Sequence, residues 1–284
     1  MVTPAWHYPR VTELLEHWQL RPDGPAIRGH GATVLPVRTS QGSAAVLKVG
    51  ASNTDTDSGS EHEHLVLRRW AGDGAVRLLR ADPHRHALLL ERLLPQQLDS
   101  LSDYEACGVV GALYRRIHVP AMPQLRTLTA LVEQWNTRFA DLPRNAPIPR
   151  RLVEQASSLA RDLIAAPDAD SVVLHGNLHS GNVLAADREP WLAIAPRPLN
   201  GDPHFEIAPM LWHRWDELAG YIRDGVRTRF YRLIDAAGLD EDRARAWVII
   251  RVVHAAMLEL GGLPEPDAAG ALTKYIALAK AVQD

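Results

Sequence analysis

The chain has 284 residues, 31 basic and 34 acidic, with a formal net charge of -3 and a 46% hydrophobic content. That length supports one large domain or two lobes without metal or disulfide help, and the charge gives no general attraction to nucleic acid or acidic membrane. The single cysteine, Cys107, excludes an internal disulfide, and the N-terminus lacks a basic cluster and apolar run, so a cytoplasmic protein with neither nucleic-acid nor membrane partners is expected.

From the N-terminus, Thr12 to Leu20 is predicted as a short amphipathic helix with Leu14, Leu15 and Trp18 on one side. Ala32–Arg38 and Ala44–Val49 are predicted strands joined by the loop Thr39–Ser43. Residues 51–60 hold no large apolar side chain and are expected as a loop, with a helix beginning near Glu61. Val76–Leu79 and Ala87–Leu93 follow as strands around the turn Asp82-Pro83-His84-Arg85. Helical periodicity then takes over in Tyr104–His118, Leu128–Phe139 and Arg151–Ala165. Short strands are expected at Val172–Leu174, Val183–Ala185 and Trp191–Ile194, and helices from Phe205 onward. The change of period near residues 93–96 divides the chain into 1–93, a small sheet with one helix, and 94–284, a larger helical part. The most apolar run, Ala246–Leu258, is broken by Arg251 and His254 and is too short to span a bilayer.

Only three of the 31 basic residues are lysines, Lys48, Lys274 and Lys280, so arginine supplies the generic surface charge. Lys48 sits in the apolar strand Val46-Leu47-Lys48-Val49. It is either an edge or snorkelling lysine or an ammonium that reaches nucleotide phosphates while a helix carboxylate holds it. Glu61 and Glu63 open the next helix, and Glu63 is the better partner because Leu67 and Trp70 share its side. Glu91 and Leu93 end a leucine-rich strand where a kinase hinge would meet an adenine. The run His175-Gly176-Asn177-Leu178-His179-Ser180-Gly181-Asn182 lies between two strands. Zinc is not expected there, because the glutamate of a zinc helix is missing and the glycines favour a loop. Asn182 can offer its side-chain oxygen to a cation or phosphate, while His175 and His179 either brace the loop or take part in chemistry. Trp212, Trp215 and His213 are candidates for a substrate pocket, with Asp202 and Glu206 as nearby acids.

These parts, in this order, resemble the aminoglycoside phosphotransferase family, in its streptomycin 6-kinase and hydroxyurea phosphotransferase branch. The resemblance runs from Leu35-Pro36-Val37-Arg38 through the loop run to Gly201-Asp202-Pro203-His204-Phe205. It implies an α+β, bilobal protein-kinase-like fold, with a small mainly antiparallel β N-lobe and a larger helical C-lobe. It also implies ATP and magnesium as cofactors if phosphoryl transfer is retained, and a small-molecule acceptor.

Two departures oppose retention. The family's catalytic aspartate is replaced by Asn177, which is no base. Its metal-binding aspartate is replaced by Ala195, while Arg197 and Glu206 replace a lysine and an aspartate nearby. Losing general-base help alone costs roughly 10²- to 10⁴-fold in rate, and phosphoryl transfer rests chiefly on charge neutralisation and positioning. The expectation is a degenerate phosphotransferase, or pseudokinase, whose cleft binds or transforms a small molecule, with secondary metabolism as its setting. Cyclisation-type acid-base chemistry is one form of this, and pure ligand binding another. The alternative is a working kinase of an aminoglycoside-like alcohol, with Asp202 or Glu206 rescuing the metal site, or a form of one inactivated by substitution.

Overall fold

In the computed structural model the chain is described over residues 9–29, 31–50, 61–262 and 265–283. It divides into two units, residues 1–96 with 184–197, and residues 97–183 with 198–284. Residues 184–197, assigned by sequence to the part 94–284, group in the structure with the first unit. The loop expected at 51–60 lies outside the described residues.

The first unit contains helix α1 (Pro9–His17) and strands β1 (Arg21–Pro22), β2 (Ile27–Gly29), β3 (Ala32–Arg38) and β4 (Ala44–Gly50), then α2 (Glu63–Trp70), β5 (Leu78–Asp82) and β6 (Ala87–Glu91). The strands make one antiparallel sheet in the order β1-β3-β4-β6-β5, with β2 also on β3. In β4 the two-residue period buries Ala45, Leu47 and Val49 in a cluster with Leu14, Leu15 and Trp18. Lys48 is thereby turned to the opposite face. Helix α1 stops before the expected Leu20, where Gln19 adopts a left-handed φ of 54°. The strand expected at Val76–Leu79 begins two residues later, because Val76 donates its N–H to Ala193 rather than joining the main sheet. That partner lies in β9 (Trp191–Ala193), which pairs with β8 (Val183–Ala185) as a separate ribbon.

The second unit is mainly helical: α3 (Asp103–Ile117), α4 (Leu128–Asp141), α5 (Arg150–Ile164), α6 (Ala208–Trp212), α7 (Ile222–Ala237), α8 (Glu241–Gly262) and α9 (Glu265–Gln283). The strands β7 (Val172–Leu174) and β10 (Leu199–Gly201) pair antiparallel beside them. Ser102 and Glu105 form a capping box that starts α3. In α8, Trp247, Val248, Ile249 and Ile250 are all buried, so this apolar run is a core helix rather than an amphipathic surface one. No helix among the described residues is long and apolar enough to cross a membrane.

Helices α3 and α7 approach closely at Gly111. A Cβ there would lie 2.6 Å from Ala236 Cβ and 3.0 Å from the Leu233 carbonyl oxygen. Gly111→Val is therefore expected to overpack the contact and lower the unfolding free energy by about 1–3 kcal/mol, measurable as a lower midpoint in urea with an unchanged slope.

Candidate functional site

In the first unit, the α2 face of Glu63, Val66, Leu67 and Trp70 is buried at helical spacing. The same periodicity carries Glu63, and not Glu61, to the sheet. Lys48 Nζ donates to its two carboxylate oxygens at 2.8 and 2.6 Å, with side-chain exposures of 17% for Lys48 and 4% for Glu63. Burial pushes the Glu63 carboxyl upward, and the Lys48 ammonium works against that shift. Such a pair holds the ammonium as a fixed cation on the sheet face.

Glu91 is otherwise engaged. Its carboxylate accepts from Arg188 Nη2 at 2.6 Å and from the Arg77 N–H at 2.7 Å, while its own N–H donates to the Arg77 carbonyl. Arg188 also donates to the carbonyls of Gly72 and Ala75, tying residues 184–197 to the sheet. Leu93 is half-buried just beyond the end of β6.

Ala195 follows β9 with φ at 54°. A left-handed conformation costs an L-residue roughly 1–2 kcal/mol, and aspartate, asparagine and glycine tolerate it best. The residue that occupies this conformation is an alanine, whose side chain is a methyl group.

In the second unit the loop after β7 is braced from below by Glu206. This carboxylate is fully buried, and its Oε1 accepts from the backbone N–H groups of His175 and of Gly176, the latter at 3.0 Å. Gly176 supplies the positive φ of 79° that lets both amides converge. Burial would raise Glu206, but charge from His118 and the backbone N–H outweigh it and leave the carboxyl below its usual range. His118 Nε2 stands 3.9 Å away, acting through charge rather than as a hydrogen bond. His175 is fully buried. Asn182 Nδ2 donates to the Asn177 carbonyl at 2.9 Å and lies 3.1 Å from His179 Nε2. The Asn182 side-chain oxygen is thus the end of that amide left for a ligand.

Asp202 is equally committed. It caps the turn at Pro203–Ile207, accepts from His204 Nδ1 and Trp247 Nε1 at 2.6 Å each, and pairs with Arg243 Nε at 2.5 Å. The expected rescue of a metal site by Asp202 or Glu206 therefore meets an Asp202 that is fully buried and paired internally, and a Glu206 that is fully buried with Oε1 held by the His175 and Gly176 N–H groups and Oε2 without a hydrogen-bond partner. Magnesium does not fit the side chains present: Ala195 has no side-chain oxygen, Asn177 and Asn182 are neutral, and no three His, Cys, Asp or Glu among the described residues converge on a metal position.

Beyond the loop, Trp212, His213 and Trp215 line a cavity of ≈ 610 Å³ together with Asp216, Lys274 and Tyr275. The Trp212 and Tyr275 rings meet edge to face at 5.8 Å, and the Arg251 guanidinium lies 5.3 Å from the Trp212 ring centre. Arg251 and Arg229, both positioning residues here, escape sequence reasoning because in an arginine-rich chain neither stands out. Lys274 is different, since the scarcity of lysine was a usable signal.

Antiparallel sheet and helical bundle together define the class. A thermostable aminoglycoside phosphotransferase mutant in its apo form superposes with a TM-score of 0.62, covering 95% of this chain and 98% of that one at 17% identity. Choline kinase from Streptococcus pneumoniae gives 0.62 over 96% of each chain at 13% identity. The fold is that of the kinase-like small-molecule phosphotransferases.

The chain belongs to the aminoglycoside/hydroxyurea antibiotic resistance kinase family, whose sequence pattern matches residues 17–260. It is 40% identical to the streptomycin 6-kinase of Streptomyces glaucescens over 260 residues, 88% of this chain and 82% of that one. It is likewise 40% identical to the hydroxyurea phosphotransferase of Kitasatospora aureofaciens over 276 residues, 92% of this chain and 76% of the other.

Lys48→Met should strand a buried carboxylate and lower stability by about 3–5 kcal/mol, while Lys48→Met with Glu63→Leu should restore most of it; chemical denaturation of the three proteins measures both. At Ala195, relief of left-handed strain exceeds the ~0.5–1 kcal/mol entropic cost of glycine. Ala195→Gly should therefore raise the unfolding free energy by up to about 1 kcal/mol, and a fall instead would mean that the methyl group packs productively.

Proposed function

We propose that this member of the family binds a nucleotide and a small polar molecule but transfers phosphate very slowly or not at all. Ala195 carries the reading: no carboxylate stands at this position to hold the metal that neutralises phosphate charge. Asn177 removes the proton acceptor from the loop as well. The Lys48–Glu63 pair and the Glu206 brace support retained binding, since the first keeps a cation fixed on the sheet face and the second keeps the loop in one form. The aromatic cavity around Trp212 supplies the apolar walls and few polar groups that a small-molecule site needs.

A second reading, an active kinase of an aminoglycoside or of hydroxyurea, is favoured by the streptomycin 6-kinase and hydroxyurea phosphotransferase relatives that match most of the chain.

Thermal unfolding with ATP, with and without magnesium, separates the two. A ligand specific for the folded state adds about 2.7 kcal/mol at one hundred times its dissociation constant. Stabilisation by ATP alone, little changed by magnesium, with no rapid transfer to streptomycin or hydroxyurea, is expected. Strong magnesium-dependent stabilisation with rapid phosphorylation of either compound would establish the second reading. Asn177→Asp combined with Ala195→Asp should raise transfer by roughly 10²-fold or more.

A further inference from the structure

The imidazole of His213 joins the loop to the cavity. The ring lies against His179 of the loop, with ring centres 4.3 Å apart and the planes tilted by 32°. The same residue lines the cavity beside Trp212 and Trp215. Its Nε2 faces Asp99 Oδ1 at 3.5 Å, an ion-pair distance, and both atoms are buried without a hydrogen-bond partner. A neutral ring with its proton on Nε2 would turn that proton toward the carboxylate and leave the lone pair on Nδ1. Gly181 makes room for this arrangement, since a Cβ there would come within 3.2 Å of His179 and 3.5 Å of His213.

The backbone under the ring is also fixed. Arg229, 2% exposed, donates to the carbonyls of Leu211, His213 and Arg214, at 2.6 Å for His213. Arg214, the next residue, is held at a left-handed φ of 53°. Strain of this kind persists only where surrounding contacts over-determine the backbone. The guanidiniums of Arg214 and Arg229 are themselves matched by Asp103, and Arg214 also by Glu217.

We infer that His213, oriented by Asp99, is the proton acceptor for a hydroxyl-bearing ligand in this cavity, in place of the acid that Asn177 has lost. The inference rests on the reading that this cavity receives the small molecule. As the ligand oxygen bonds to the γ-phosphorus of a nucleoside triphosphate and the diphosphate leaves, the hydroxyl proton passes to His213 Nδ1. The resulting imidazolium is stabilised by the Asp99 carboxylate, which makes Asp99 a positioning residue. An acceptor has to be neutral near pH 7. Burial, Arg214 and Arg229 all pull His213 below its ordinary range, and Asp99 opposes them in part; His179, tilted against its ring, is the remaining titratable group beside it.

Two measurements on the full chain test this. Nitrogen-15 NMR of the His213 ring should show the Nε2–H tautomer, and Asp99→Asn should lower the ring's pKa; an Nδ1–H tautomer, or no response to Asp99→Asn, would overturn the inference whether or not any transfer occurs. Single-turnover transfer from ATP to streptomycin, followed across about pH 5 to 9, supplies the second. His213→Gln should lower the residual rate roughly 10²-fold and abolish the limb that follows the NMR titration, with the stabilisation by ATP alone unchanged. In the Asn177→Asp background, where the loop has its own base, His213→Gln should cause no such loss. Equal losses in both backgrounds would make His213 structural and sink the proposal, whereas absence of transfer with the expected NMR result would count only against residual kinase activity.

Discussion

A carboxylate sealed from water fixes the shape of the loop on which the candidate site is built. Burying Glu206 is tolerable only because its charge is met by hydrogen bonds, and two consecutive backbone N–H groups, of His175 and Gly176, provide them. Tyr114 donates its hydroxyl to the Glu206 carbonyl at 2.8 Å, and Arg251 reaches the carbonyl of Phe205 at 3.0 Å. None of these partners involves the side chain at position 177. The loop can therefore keep its form with asparagine there, and stability exerts no pressure to restore an acid.

The same separation of scaffold from chemistry recurs elsewhere. Lys48 and Glu63 need each other for reasons of buried charge alone, so their pairing persists independently of turnover. Asp202 is spent on His204, Trp247 and Arg243, and Glu91 on Arg188 and Arg77. Removing any one of these charged residues would leave its partner unpaired. Ala195 is the counter-example, since a methyl group leaves nothing unsatisfied even though its backbone conformation is an uncomfortable one for alanine.

Much of the architecture was legible along the chain, because the two- and 3.6-residue periods are local. The β4 alternation that turns Lys48 away from Leu47 and the helical spacing that aligns Glu63 with Leu67 and Trp70 follow from that arithmetic. The element ends were less legible: Gln19 stops α1 through a left-handed turn, and Val76 is diverted from the main sheet by Ala193, more than one hundred residues later. Grouping of 184–197 with the first unit likewise depends on Arg188 reaching Gly72, Ala75 and Glu91.

By itself, then, the sequence determined the family, the fold class, the Lys48–Glu63 pairing and the absence of acids at 177 and 195, since each depends on residue identity or on short-range periodicity. Only the tertiary structure decided that Asp202 and Glu206 are buried and hydrogen-bonded within the chain, because burial and hydrogen-bond partners are set by contacts distant in sequence. It alone brought Asp99, His179 and His213 together, three residues on separate segments whose meeting no local pattern encodes.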